Sequence, residues 1–199
     1  MVRSWLHSVD PYEGFRGKPK KGPNWGGGNP IFGELIERVK PSLIIEVGSF
    51  YGDSAITMAK LAKCEVVAVD TWLGTMDGMS PDHPDHEWIE RKNGFPTLYQ
   101  TFIANVKSEG VAEYVTPFPQ TSVNAARIMA KRGVKADLIY IDAAHETEDV
   151  LQDLQLYERL LSHKGVIFGH DYNHEQVRSA VKIFGRPVEE HGEFYVCGR

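Results

Sequence analysis

Apolar positions along this chain switch repeatedly between two spacings, and the switches mark out its elements. Phe32, Leu35, Ile36 and Val39 recur at i, i+3, i+4 and i+7, one face of a helix that Asn29-Pro30 starts and Pro41 stops. The run "SLIIEV" predicts a buried strand, Ala55, Met58, Ala59 and Ala62 a helix face, and "EVVAVD" a second strand, which together make a βαβ unit. The alternation goes on with a helix near 96–109, a strand near "EYVTPF", a helix over about 122–130 and the strand "DLIYID". Val150, Leu154, Tyr157 and Leu161 form the stripe of a further helix, "GVIFG" a further strand, and Val177, Ala180, Val181 and Phe184 a last helix. Two β-prone pieces, around 187–188 and 193–197, flank His191-Gly192 and predict a C-terminal β-hairpin. Strands apolar on both faces, alternating with helices, predict an α/β fold with a doubly wound, mostly parallel sheet covered by helices on both faces.

Two stretches fall outside this rhythm. Residues 1–29, rich in Gly, Pro and Lys and containing "RGKPKK" and "NWGGGN", are expected to be a flexible N-terminal arm or lid, leaving 30–199 as a single domain. The loop 73–96, with "SPDHPDHEW", is expected to lie on the acceptor side; His83 and His86 lack the helical spacing that would hold them on one metal. Trp72 and Trp88 are expected either to wall a substrate pocket or to pack that loop down.

A chain of 199 residues buries roughly 70% of its unfolded surface and needs no disulfide. Cys64 and Cys197 follow no metal or redox spacing, which fits a reducing compartment. With no signal-peptide core and no spanning apolar run, the expected location is cytoplasmic. A net charge of −5 with interspersed signs points away from nucleic acid and membrane, towards a small-molecule partner.

In a doubly wound sheet the ligand sits at the carboxyl ends of the strands. The first such end reads "IIEVGSFYGDSA": a β-branched run, a glycine turn at Gly48 and Gly52, then a helix whose free N–H groups face the turn. Asp70 ends the second strand, where a carboxylate accepts both hydroxyls of a ribose. A nicotinamide-dependent oxidoreductase shares that acid. The turn, however, is G-x-x-x-G without a third glycine, and Glu46 inside the strand would repel a pyrophosphate while tolerating a cationic amino-acid end.

These residues resemble the class I methyltransferases that use S-adenosylmethionine. "IIEVGSFYGDSAITMAKLA" is similar to the first motif of the catechol O-methyltransferase group, while "VVAVDTWLG", "IYIDAAHETEDVLQDL" and "GVIFGHDY" are similar to the macrocin-type sugar O-methyltransferases. The resemblance covers about residues 41–185 and implies a Rossmann-like, seven-stranded fold. It implies that Glu46, Gly48, Ser49, Phe50, Gly52 and Ser54 serve the methionine end, that Asp70 and Thr71 sit at the ribose, and that Gln120, Thr121 and Ser122 lie by the adenine. Thr121 or Ser122 is equally suited to cap the following helix. Asp142, which the resemblance places at the cofactor as well, would join Asp171 as carboxylate ligands of a divalent metal, Mg or Mn. His170 stands where the related groups carry an acid or Asn, so it either stays off the metal or shifts its preference towards Mn.

His145, three residues past Asp142, takes the position of the catechol group's lysine or the sugar group's histidine. Methyl transfer to an alcohol requires its proton to be removed, which a metal and an imidazole achieve together, so His145 and Asp142 are the expected catalytic pair. The expected function is therefore an S-adenosylmethionine-dependent O-methyltransferase acting on a hydroxyl of a sugar or other small-molecule diol. The alternatives are the oxidoreductase and a non-catalytic binding subunit of the same fold. A homodimer is the expected assembly if the chain self-associates.

Overall fold

The computed structural model describes residues 1–23 and 25–198; Asn24, within the glycine-rich end of the arm, and the terminal Arg199 lie outside the described residues. The elements run α1 (Arg3–Leu6), α2 (Ile31–Val39), β1 (Leu43–Val47), α3 (Asp53–Ala62), β2 (Glu65–Asp70), β3 (Arg91–Lys92), β4 (Phe95–Pro96) and α4 (Leu98–Ser108). They continue with β5 (Val115–Pro119), α5 (Ser122–Lys131), β6 (Ala136–Ile141), α6 (Thr147–Glu158), β7 (Leu161–Gly169), α7 (Glu175–Phe184), β8 (Val188–His191) and β9 (Phe194–Cys197). The main sheet has seven strands in the order β5-β2-β1-β6-β7-β9-β8, parallel throughout except for β9 and β8.

Strand alternation explains why both faces bury apolar residues. On β2, Val66 and Ala68 face a core built with α2, α3 and α4, while Val67 and Val69 face a second core built with α5, α6 and α7. The predicted doubly wound fold and terminal hairpin are therefore present. One boundary differs: the stripe assigned to α6 included Leu161, but the helix ends at Glu158, Leu160 N–H turns back to the Tyr157 carbonyl (2.9 Å), and Leu161 opens β7. The strand expected only at "GVIFG" is longer for the same reason, with a register shift against β6 between Ala136 and Leu138.

Much of the arm packs onto the fold. Val2 and Tyr12 are buried, the amides of Val2 and Arg3 donate to the Glu65 carboxylate (both 2.8 Å), and the Tyr12 hydroxyl donates to the Val115 carbonyl (2.8 Å). The Arg3 guanidinium reaches the carbonyls of Ala112 and Val115, and His7 Nε2 pairs with the Pro117 carbonyl. Within the basic cluster, Lys20 lies between the rings of Tyr51 and Trp88, and Asn105 clamps its backbone through both its N–H and its carbonyl.

The loop after β2 is organised by two short 3₁₀ turns and the β3-β4 ribbon. Its histidines have local work. His83 Nδ1 accepts the Asp85 N–H, and His86 Nδ1 pairs with the Gly78 carbonyl. Trp72 is buried against Tyr99 and Phe102, and Trp88 offers its carbonyl to the Tyr51 hydroxyl, so both tryptophans pack the loop down. No helix among the described residues is long and apolar enough to cross a membrane.

Candidate active site

The sheet's strand order reverses between β1 and β6, and the carboxyl ends of these strands open onto a cavity of about 740 Å³. Gly48 sits at φ +88°, and a Cβ there would lie 1.9 Å from the backbone oxygen of Asp142, so only glycine lets β1 turn this close to β6. Gly52, at φ +94°, caps α3. Between them the Ser49 and Phe50 amides donate to one oxygen of Asp70 (2.9 and 2.8 Å), and Trp72 N–H donates to the other (2.6 Å). Asp70 therefore ties the first turn to the end of β2 while remaining on the cavity wall. Three of its roughly four lone-pair sites are therefore taken, and the remaining one lies on the oxygen that accepts Trp72 N–H.

Gly48, Ser49, Phe50, Gly52, Ser54, Asp70, Thr71, Gln120, Thr121, Ser122 and Asp142 all line this cavity. Glu46 does not. Its β1 position points beneath the turn, where it is fully buried and accepts the hydroxyls of Ser49 and Ser54. The turn is thus buttressed from below by a carboxyl that stands off the cavity wall. Thr121 does cap α5, its Oγ1 accepting Asn124 N–H (3.3 Å), and Gln120 Oε1 braces the same first turn.

Onto the same cavity β6 and β7 deliver Asp142, His170 and Asp171, and His145 follows on the loop into α6. One ligand atom from each of Asp142, His170 and Asp171 lies within 4.8 Å of the other two, the one such group among the described residues. Asp171 adopts φ +58°, unusual for a residue with a side chain, and its carboxylate divides its oxygens: Oδ2 is 3.0 Å from His145 Nε2 and Oδ1 is 3.2 Å from His170 Nδ1. Asp142 Oδ2 accepts the Tyr140 hydroxyl (2.7 Å), and Oδ1 is 3.7 Å from His170 Nδ1.

A family model described as a methyltransferase domain matches residues 45–172, more than half of the chain. The chain belongs to this methyltransferase family. No curated protein matches it in sequence. Among solved structures, this methyltransferase is similar to cofactor-bound Rv0187 from MTB, at 17% identity and a TM-score of 0.63 over 88% of this chain and 80% of that one. The O-methyltransferase from Bacillus cereus in complex with SAH is 13% identical, with a TM-score of 0.60 over 100% and 86% of the two chains. CalS11, a calicheamicin methyltransferase, is 15% identical, with a TM-score of 0.58 over 84% and 76%. At such identities the likeness is one of fold, the Rossmann-like fold of the class I methyltransferases.

Burial sets the electrostatics of the methyltransferase's cavity. Desolvation pushes the Glu46 carboxyl up to about 8, although the hydrogen bonds from Ser49 and Ser54 oppose it. Burial likewise raises Asp142 to about 6, opposed by His170 and assisted by the negative charge of Asp171. Asp171 goes the other way: burial would raise it, but the hydrogen bonds of His145 and His170 hold it well below the ordinary carboxylate range. Its hydrogen bond in turn raises His145.

Glu46 gives a direct test of this picture. A carboxyl whose folded pKa exceeds its unfolded value binds more protons in the native state, so its contribution to stability falls as pH rises from about 4.5 to about 8. Glu46→Gln mimics the neutral acid, accepting from one serine and donating to the other. The melting temperature of the glutamine variant relative to the parent is therefore expected to climb between pH 5 and pH 9; a constant difference across that window overturns the assignment.

Sequence reasoning missed several lining residues: Trp25, Gly26 and Gly27 from the arm, and Asn173, His174 and Glu193. Asn173 and His174 lie just past Asp171, within reach of the strand-end argument. Glu193 sits on the hairpin turn, where no local pattern marks it as a neighbour of β7.

Proposed function

We propose that this methyltransferase transfers the methyl group of S-adenosylmethionine to a hydroxyl of a sugar or other small-molecule diol, assisted by a divalent metal held by Asp142, Asp171 and His170. The observation that carries this reading is the junction at Asp171, which touches both His145 and His170 beside Asp142 on the wall of the cavity that begins at the glycine turn.

The residues present fit both groups. The cradle at Gly48 would be filled by any side chain, and the turn from Gly48 to Ser54 suits the methionine end of the cofactor, with Asp70 and Thr71 at the ribose and Gln120, Thr121 and Ser122 at the adenine. Two carboxylates and an imidazole nitrogen, mutually close and partly buried, suit a divalent cation with a tolerance for nitrogen, Mn more than Mg. When bound, S-adenosylmethionine supplies an electrophilic methyl on a sulfonium, and the metal lowers the pKa of a neighbouring hydroxyl.

The chain's own part is positioning and proton removal. With Nε2–H donated to Asp171, the lone pair of His145 lies on Nδ1, the atom that takes the acceptor proton. Asp171 stabilises the imidazolium that forms. The half-exposed His145 side chain lies at the cavity wall, where an acceptor has access to it.

Calorimetric titration tests the cofactor half of the reading. S-adenosylhomocysteine is expected to bind and NAD not to, and Asp70→Ala is expected to weaken S-adenosylhomocysteine by about tenfold or more, because a hydrogen bond to a charged acceptor is worth about 1.5–3 kcal/mol. Tight NAD binding with none of S-adenosylhomocysteine would sink it. The metal half fails if methyl transfer to an identified acceptor proceeds unchanged in EDTA.

A further inference from the structure

His170 carries an unusual atom. Its side chain is 9% exposed, and its Nε2 is buried with no hydrogen-bond partner, whereas most buried side-chain polar atoms have one. The other nitrogen, Nδ1, is the one turned towards Asp171 Oδ1 (3.2 Å) and Asp142 Oδ1 (3.7 Å). The polar group facing Nε2 is Glu193 Oε2, 3.6 Å away and just past hydrogen-bond length. The arm closes the remaining side: a Cβ on Gly26 would stand 3.3 Å from Nε2.

Glu193 is itself held in place. It follows Gly192 (φ +66°) at the tip of the β8-β9 hairpin, its carbonyl accepts Tyr172 N–H (2.9 Å), and its Oε1 accepts the Asn173 side-chain amide (3.1 Å). That leaves Oε2 as the oxygen aimed at His170. The next residue, Phe194, packs its ring against the His170 imidazole, with centroids 4.5 Å apart. One hairpin tip thus supplies both the surface under the ring and the carboxylate beyond it.

We propose that Glu193 is a positioning residue for His170, fixing the ring so that Nε2 carries the proton and Nδ1 offers its lone pair to a transition-metal cation shared with Asp142 and Asp171. This rests on the reading of those three residues as the ligand set. The chemistry asks for such a partner. A ligating histidine almost always donates its other N–H to a carboxylate, a carbonyl or water, which sets the tautomer and raises the basicity of the ligating nitrogen. A movement of a few tenths of an ångström by an exposed glutamate converts the present 3.6 Å approach into that hydrogen bond.

The test is a set of Mn²⁺ titrations on the full chain, followed calorimetrically, without any turnover assay. Glu193→Ala is expected to weaken Mn²⁺ by about 10- to 100-fold, and His170→Ala by at least as much. Glu193→Gln, whose one carbonyl oxygen can accept from His170 while its NH₂ donates to an Asn173 amide turned the other way round, should restore most of the affinity. S-adenosylhomocysteine binding, measured on each variant, reports that the fold and the cofactor turn are intact. Mn²⁺ affinity in Glu193→Ala within twofold of the parent, with His170→Ala impaired, overturns the role of Glu193 and leaves the ligand set standing. Loss in both Glu193→Ala and Glu193→Gln makes the effect one of general charge and also overturns it. If the parent binds no Mn²⁺, or His170→Ala binds it normally, the ligand set fails and Glu193 falls with it.

Discussion

Replacing His145 by alanine is expected to lower turnover by about 10² to 10⁴ while leaving S-adenosylhomocysteine binding unchanged, the range set by loss of a positioned general base. The geometry gives the loss a signature. His145 works as a base only when neutral, and the Asp171 hydrogen bond raises its pKa above the ordinary histidine value, so the parent's rate should climb with pH through an ionisation displaced upward. In His145→Ala that limb disappears, and part of the activity returns at high pH, where the acceptor hydroxyl ionises unaided. Asp171→Asn should instead move that limb to lower pH, because an amide no longer stabilises the imidazolium. A pH–rate profile of the alanine variant parallel to the parent's would exclude His145 as the base.

The second large effect is expected at Gly48. Alanine there meets three backbone atoms, the Asp142 oxygen at 1.9 Å, its carbonyl carbon at 2.6 Å and the Ala143 Cα at 2.8 Å, so no side-chain rotation relieves the overlap. The positive φ adds about 1–3 kcal/mol of strain. At about 2–4 °C per kcal/mol for a chain of this size, Gly48→Ala should melt about 5 °C or more below the parent. It should also lose detectable S-adenosylhomocysteine binding, because relief requires the turn to pull away from Asp70 and β6. Gly33→Ala is the matched control. In the first turn of α2 with open space around it, that change should hold or raise the melting temperature, by up to about 0.5–1 kcal/mol of stability. Binding by Gly48→Ala equal to the parent's would show that the cofactor does not use this turn.

The sheet and its helices were legible because each strand is apolar on both faces and each helix carries one stripe, a pattern that depends only on local spacing. The strand ends were legible for a related reason: parallel topology brings Gly48, Asp70, Asp142 and Asp171 to one edge whatever the intervening loops do. What spacing does not encode is the direction of a side chain under a turn. The resemblance to the first motif sets Glu46 at the cofactor's methionine end, whereas β1 alternation sends its side chain below Ser49 and Ser54. Nor does spacing encode contacts between distant segments. Trp25 reaches Phe50, and Glu193 approaches His170, only because the arm and the hairpin fold back over the same cavity.

The arm's contacts with β5 have a consequence for assembly. β5 is the outer strand of the sheet, and such a strand normally offers a row of unpaired amides and carbonyls on which another chain can template itself. Bonds from the flanking Tyr114 and Gln120 to β2 leave Val115, Pro117 and Pro119 facing outward. Two of those three have no N–H to give, and the third donates to the Val111 carbonyl. Tyr12 and Arg3 occupy the Val115 carbonyl, and His7 occupies that of Pro117. Strand addition at this border is therefore opposed for donors by proline and, at Val115 and Pro117, for acceptors by the arm, so lengthening of the sheet from this side into a ribbon or fibril is disfavoured.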